Sequence, residues 1–282
     1  MAKSSPQSAR HKATAGTGVC KLTGKTGRFV RSHLLPQALT APDRKGVPFL
    51  HFGDGNRPTR RWSSWYDEEL VGVEGEEVLA KLDDWAIVTL RKHRLVWSGW
   101  ASATSLPVKH GPPSANGFGS RMVLGIDGHK LQLFFLSLLW RAAATGRPEF
   151  ADIILPAADL ETLRQILIDG TPAPLEFYPT TLLQLSTRTR AHNTSPIAME
   201  KRMPNLPGLG FRTYPFFRFY FDGLEAHIVR QASGNIDWLR PAIVGNSNSL
   251  VVMTVPYENS FQYANAAVAV QHVRQAYPRR PW

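Results

Sequence analysis

The stretch "GHKLQLFFLSLLWRAAATG", residues 128–146, is apolar on nearly every side. A helix of that kind is stable in water only when other elements cover it all round, so the rest of the chain has to build a core about it. Its apolar centre, residues 131–140, is about half of the ~20 residues that cross a bilayer. The first twenty residues also lack the apolar run of a secretory leader. We therefore expect a soluble protein with no membrane partner. Composition agrees: 43% hydrophobic and 10% aromatic residues in a chain of 282 are ordinary for a packed interior. Cys20 is the single cysteine, so no internal disulfide can form, and a cytoplasmic location is the simpler expectation.

Periodicity divides the chain. Residues 1–18 are rich in Ser, Ala, Gly, Lys and Arg without any phase and read as a disordered basic tail. Residues 19–100 read as a compact unit with a turn-rich opening, a short helix from about Ser32, an extended piece near residues 47–52 and a long helix. In that helix Leu79, Leu82, Ala86 and Leu90 fall three or four apart and Trp97 returns to the same face, which predicts a buried stripe over residues 76–97. Residues 101–120 are full of Pro, Gly, Ser and Asn and read as a linker loop. Beyond it, residues 121–282 read as an α+β unit. The central helix is followed by the amphipathic "AADLETLRQILIDG", closed by Gly170. Then come the strand-like "LEFYPTTLLQLST", "FRTYPFFRFYFDGLEAHIVR" and "SLVVMTV", and a final helix over residues 258–276.

The net charge of +11 is unevenly spread. Lys21, Lys25, Arg28 and Arg31 precede the first acid, Asp43, whereas Glu74, Glu76, Glu77, Asp83 and Asp84 crowd a later stretch. A basic amino end can neutralise phosphates and release their counterions, and it can equally serve as a solubilising tail.

Three further pieces carry a chemical pattern. "CKLTGK" begins like a zinc knuckle, "RSHLLPQAL" follows it, and "YDEELVGVEGEEVLAKLDDWA" opens the long helix. With "KLQLFFLSLLWRAAATGRPEFADIILPAADLETLRQILIDG" they resemble, over about residues 19–170, a group of bacterial proteins related to HNH endonucleases. In that group a Cys-x2-Cys knuckle precedes Ser-His-Ile-Ile-Pro, and Leu-Cys-x2-Cys-Glu opens a helix rich in Lys, Asp and Tyr. The resemblance implies a degenerate treble-clef, ββα module and a nucleic-acid partner, most simply DNA. It also implies a general-base role for His33, whose unperturbed pKa of ~6.5 suits proton transfer near neutrality.

Departures from the pattern are specific. Thr23, Gly72 and Gly75 stand where three of the four zinc-ligating cysteines belong, so structural zinc is not expected and apolar packing has to replace it. Cys20 is then a small core residue. Ser32 stands where a metal-binding Asp or His belongs. Glu76 replaces a later histidine and is left as the candidate ligand for Mg²⁺. For His33, a structural role at a helix start competes with the catalytic one.

Arg57, Arg60 and Arg61 beside Trp62 and Trp65 suit phosphate contact and base stacking, with a solvated loop as the alternative. Phe217, Phe219 and Phe221 alternate with Arg218 and Tyr220, as in a stacking platform or, more simply, a half-buried strand. "RKHR", residues 91–94, reads as a wet helix face. No Walker loop, dinucleotide fingerprint, nucleophile elbow or His-Glu-x-x-His is present. The expectation is an α+β nucleic-acid-binding protein of the HNH-like class. An active Mg²⁺-dependent endonuclease and a protein-interaction module that reuses the scaffold are the alternatives.

Overall fold

The structure, a computed structural model, describes residues 16–41, 49–52, 59–61, 63–108, 111, 117–189, 192–204, 211–230 and 237–276. The fold is α+β. It opens on a hairpin of β1 (Thr17–Val19) and β2 (Thr26–Arg28), then β3 (Ser32–His33), β4 (Phe49–Phe52), β5 (Thr59–Arg61) and β6 (Tyr66–Asp67) lead into α1 (Val73–Lys92). β7 (Gly119–Leu124), α2 (Gly128–Ala144) and α3 (Ala157–Asp169) follow. The chain closes with β8 (Thr180–Leu185), β9 (His192–Pro204), β10 (Phe211–Phe221), β11 (Leu224–Val229), β12 (Ser249–Val255) and α4 (Phe261–Ala276).

Eight strands form one mixed sheet in the order β5-β4-β9-β10-β11-β8-β12-β7. The β4/β9 and β8/β12 pairs are parallel and the others antiparallel. The helix α2 lies against this sheet and between its neighbours, as its all-round apolarity requires. Phe134 and Phe135 meet Phe221 of β10 at ring separations of 6.3 and 6.4 Å, and α1 and α3 pack on its other sides. Its start is fixed by Asp127, whose carboxylate accepts from the Lys130 amide at 3.0 Å. α3 ends where Gly170 turns left-handed at φ 64°, a conformation open to a residue without Cβ.

The stretches read as two units share one interior. A single hydrophobic cluster runs from Cys20, Leu22 and Leu34 through Leu79 and Leu90 to Phe134, Phe217 and Val252. Strands β4 and β5, which come early in the chain, belong to the same sheet as those near its end.

Three readings of the sequence are corrected, and one strand is added to them. The expected unstructured tail overlaps β1, since Thr17 and Gly18 pair with Arg28 and Gly27; residues 1–15 lie outside the described part. No helix starts at Ser32: Ser32 and His33 pair with Asp67 and Tyr66 as short strands, and only a 3-10 turn follows at Gln37–Leu39. The long helix stops at Lys92 because Arg94 adopts φ 54°, so Trp97 belongs to a separate 3-10 turn, Trp97–Gly99. Strand β9 was unread, since its polar opening and internal Pro196 resemble a loop.

Candidate functional site

The β1/β2 hairpin closes on a tight turn in which the Thr23 amide donates to Cys20 Sγ at 3.4 Å. Lys21 N donates to Leu70 O at 3.0 Å and Val30 N to Val71 O at 3.1 Å, which seats the hairpin on the start of α1. Positions 20, 23, 72 and 75 therefore come together. The side chains present do not fit a zinc ion. One thiol and one hydroxyl fall short of four ligands, and the thiol itself fills the space: a Cβ on Gly75 would lie 2.8 Å from Cys20 Sγ. Burial raises the thiol's pKa, but hydrogen bonds from Thr23, Gly72 and Leu22 outweigh it and hold the group below its ordinary value.

His33 stands on β3, half-buried, its ring edge-on to Tyr66 at 6.4 Å. Behind it lies a charged network that sequence reasoning missed. Arg141, the sole charged residue in residues 131–144, is buried on α2. It pairs with both oxygens of Asp83 on α1, at 2.5 and 2.9 Å, and donates to the His33 carbonyl at 2.9 Å. The signal was available, because a lone cation in an apolar helix demands an acid, and Asp83 lies seven residues beyond Glu76, on the same α1 stripe as Leu79 and Leu90. Burial, with Arg31 and Arg141 adding to it and Asp83 opposing, lowers the pKa of His33, so its imidazole is neutral at pH 7. Burial raises the pKa of Glu76 despite Ser32 and Arg141 nearby. The Ser32 hydroxyl is close enough to favour the carboxylate, yet neither Ser32 Oγ nor Glu76 Oε2 completes a hydrogen bond of normal geometry.

This set is a poor cradle for Mg²⁺. Asp83 spends both oxygens on Arg141, and burial disfavours the charge on Glu76. Among the described residues no three His, Cys, Asp or Glu side chains come together as a metal-holding group.

The outer edge of the site is basic and aromatic. The exposed Arg31 lays its guanidinium over the Tyr66 ring, 3.4 Å from the centroid. Arg147 donates to the Tyr66 carbonyl at 3.0 Å while paired with Glu149 at 2.9 Å, and Glu149 also feels the exposed Arg61 at the end of β5. The structure thus groups His33, Arg31 and Arg61 about Tyr66 and Arg147. It places Arg28 apart, exposed beside the knuckle. Arg60 lies in β5, while Arg57 and Trp62 lie outside the described residues. Trp65 is turned inward, edge-on to Phe150 at 5.8 Å, so Tyr66 is the aromatic offered at this edge.

One other candidate changes character. β10 is covered on both faces rather than half-buried: Phe217, Phe219 and Phe221 enter the core, Arg218 pairs with Glu225 at 2.8 Å, and Tyr220 stacks on His192 at 4.8 Å. It is no stacking platform. Residues 91–94 keep a wet face, Lys92 and Arg94 being exposed, while Arg91 donates to Ala38 O at 2.9 Å and Arg94 to Pro107 O at 3.2 Å. Among the described residues no helix is long and apolar enough to cross a membrane. Comparison with protein families, curated proteins and solved structures returned no match.

Proposed function

We propose that the protein is a cytoplasmic, zinc-free nucleic-acid-binding protein of the HNH-like class, most simply a DNA binder, that contacts phosphates through the edge around Tyr66. The observation that carries this reading is Arg31 stacked on Tyr66, with Arg147 and Arg61 close by, on a chain of net charge +11. The test is binding of duplex DNA as a function of salt. The affinity is expected to fall steeply with salt, and Arg31→Ala and Arg61→Ala each to reduce the log–log slope by about 1. Absence of binding at low salt would replace this reading with that of a protein-interaction module.

A second reading, Mg²⁺-dependent nicking with His33 as general base, is favoured by one observation, the depressed pKa that leaves the imidazole free to accept a proton. The carboxylates present do not make a ready site for the ion, so no step is assigned to it. Nicking that disappears in His33→Ala would establish this activity; nicking that persists in that variant excludes His33 as the base.

A further inference from the structure

The strands β9, β10 and β11 carry a line of polar side chains on the sheet face turned away from α2. Alternation along β10 sets Phe216 and Arg218 on that face, opposite the core-facing Phe217 and Phe219. Lys201 of β9 reaches across Phe216, its Nζ 5.1 Å from the ring centroid, and comes within 3.5 Å of His227 Nδ1 on β11. The other ring nitrogen of His227, Nε2, lies 3.3 Å from Glu225 Oε2. Glu225 in turn is held by Arg218, whose Nε donates to it at 2.8 Å and Nη2 at 3.3 Å. None of these residues belongs to the His33 edge.

The order of the contacts fixes the protons. Paired with Arg218, Glu225 is a carboxylate and can only accept, so His227 carries its hydrogen on Nε2 and turns the lone pair of Nδ1 toward the Lys201 amine. Burial, with the charges of Lys201 and Arg218 adding to it, lowers the pKa of His227 against the pull of Glu225, so the ring is neutral near pH 7 and free to take a proton. Among the described residues no carboxylate pairs with Lys201. Burial pushes its amine down to about 8. A weak nucleophile in hydrogen-bonding sequence with a base and an acid that orients the base is the arrangement by which enzymes activate such groups. Lys201 and His227 both keep part of their surface open to water, so the pair borders solvent.

We propose that Lys201 is a covalent site for small aldehydes, which it takes up as an imine with His227 as its base. The amine lone pair forms the C–N bond as the carbonyl π pair moves onto oxygen, and His227 Nδ1 takes a proton from nitrogen and hands it to that oxygen, giving a carbinolamine. The nitrogen then loses its second proton by the same route, C=N forms as the C–O bond breaks, and the oxygen leaves as water. While His227 holds a proton, the Glu225 carboxylate stabilises the imidazolium. The titratable groups facing the amine are His227 and Glu225 from β11, Arg218 from β10 and Tyr214, its cross-strand partner on β10. α4 meets this line with an uncharged ring, Phe261, at 4.3 Å from the Arg218 guanidinium.

Incubation of the full-length protein with propanal, followed by borohydride reduction and peptide mapping, tests the assignment. At about pH 8 the Lys201 amine holds about a hundredfold more free base than an ordinary lysine, so once its lower basicity is allowed for it should be trapped about tenfold faster than the exposed Lys81 and Lys92. Its rate should level off above about pH 9, where an ordinary amine is still gaining free base. His227→Gln removes the base and should slow trapping at Lys201 about tenfold, with the melting temperature read alongside; if that variant does not fold, the wild-type rates and their pH profile decide. The proposal is overturned if Lys201 is trapped no faster than Lys81 and Lys92 at about pH 8, or if folded His227→Gln traps propanal there as the wild type does. Rapid acylation of Lys201 by acetic anhydride without a trapped aldehyde likewise overturns the imine.

Discussion

Gly75 shows how much one missing atom decides. Cys20 Sγ occupies the volume that a side chain on the first turn of α1 would need, and Val71 closes the other side at 3.1 Å from the same point. Gly75→Ala should therefore destabilise the protein by about 1–3 kcal/mol through overpacking. Cys20→Ala in the same chain removes the clashing sulfur, so the double variant should lose less than the two single losses combined. Chemical denaturation of the four proteins of that cycle reads the coupling, and simple additivity would refute the contact. The sequence made Cys20, Thr23, Gly72 and Gly75 legible as one constellation because their spacing is local to a hairpin and a helix start. Arg141 and Asp83 were legible only by asking what a lone charge in an apolar helix would pair with.

Among the elements, those with a strong period stood out from sequence: α1, α2 and α3 at the helical repeat, and β10 to β12 through β-branched and aromatic content. β3 is too short to carry a period. β9 opens on His192, Asn193, Thr194 and Ser195, all buried by its position beside β4 and β10 rather than by their own apolarity. Such a strand is specified by its neighbours. Within the sheet, Arg218 of β10 and Glu225 of β11 are both under 4% exposed, and Glu225 also lies 3.3 Å from His227. Arg218→Ala should cost about 3–5 kcal/mol by stranding the carboxylate, whereas replacing both partners by Met and Leu should cost far less. Although burial opposes it, the charge of Arg218 and the bonds from His227 and Arg218 depress Glu225 to about 2. Its folded pKa is thus below the ordinary carboxylate value, so its stabilising contribution is complete above about pH 4.5 and is lost as the pH falls toward 2. Thermal melts across that window should show the decline in the wild type and less of it in the double variant.

On the scale of the whole molecule, the front and back of the chain depend on each other. The Trp97 indole covers Gly223 so closely that a Cβ there would lie 2.3 Å from the ring, and Trp97 N donates to Asp222 O at 2.9 Å. With Leu79 and Leu90 in the same cluster as Phe134 and Phe217, residues 16–100 alone would expose their apolar faces to water. That fragment should show no dispersed amide spectrum and no cooperative melt, while the full chain should unfold in a single transition. A fragment that melts cooperatively would show that the front half carries a core of its own. The parallel pairing of Leu50 with His192 adds a matter of timing. About half the polypeptide separates the two, and at ordinary ribosomal speed roughly ten seconds pass between their syntheses. Throughout that interval a nascent β4 can pair with its hairpin mate β5 alone, and the edge that β9 will cover waits for a strand not yet made.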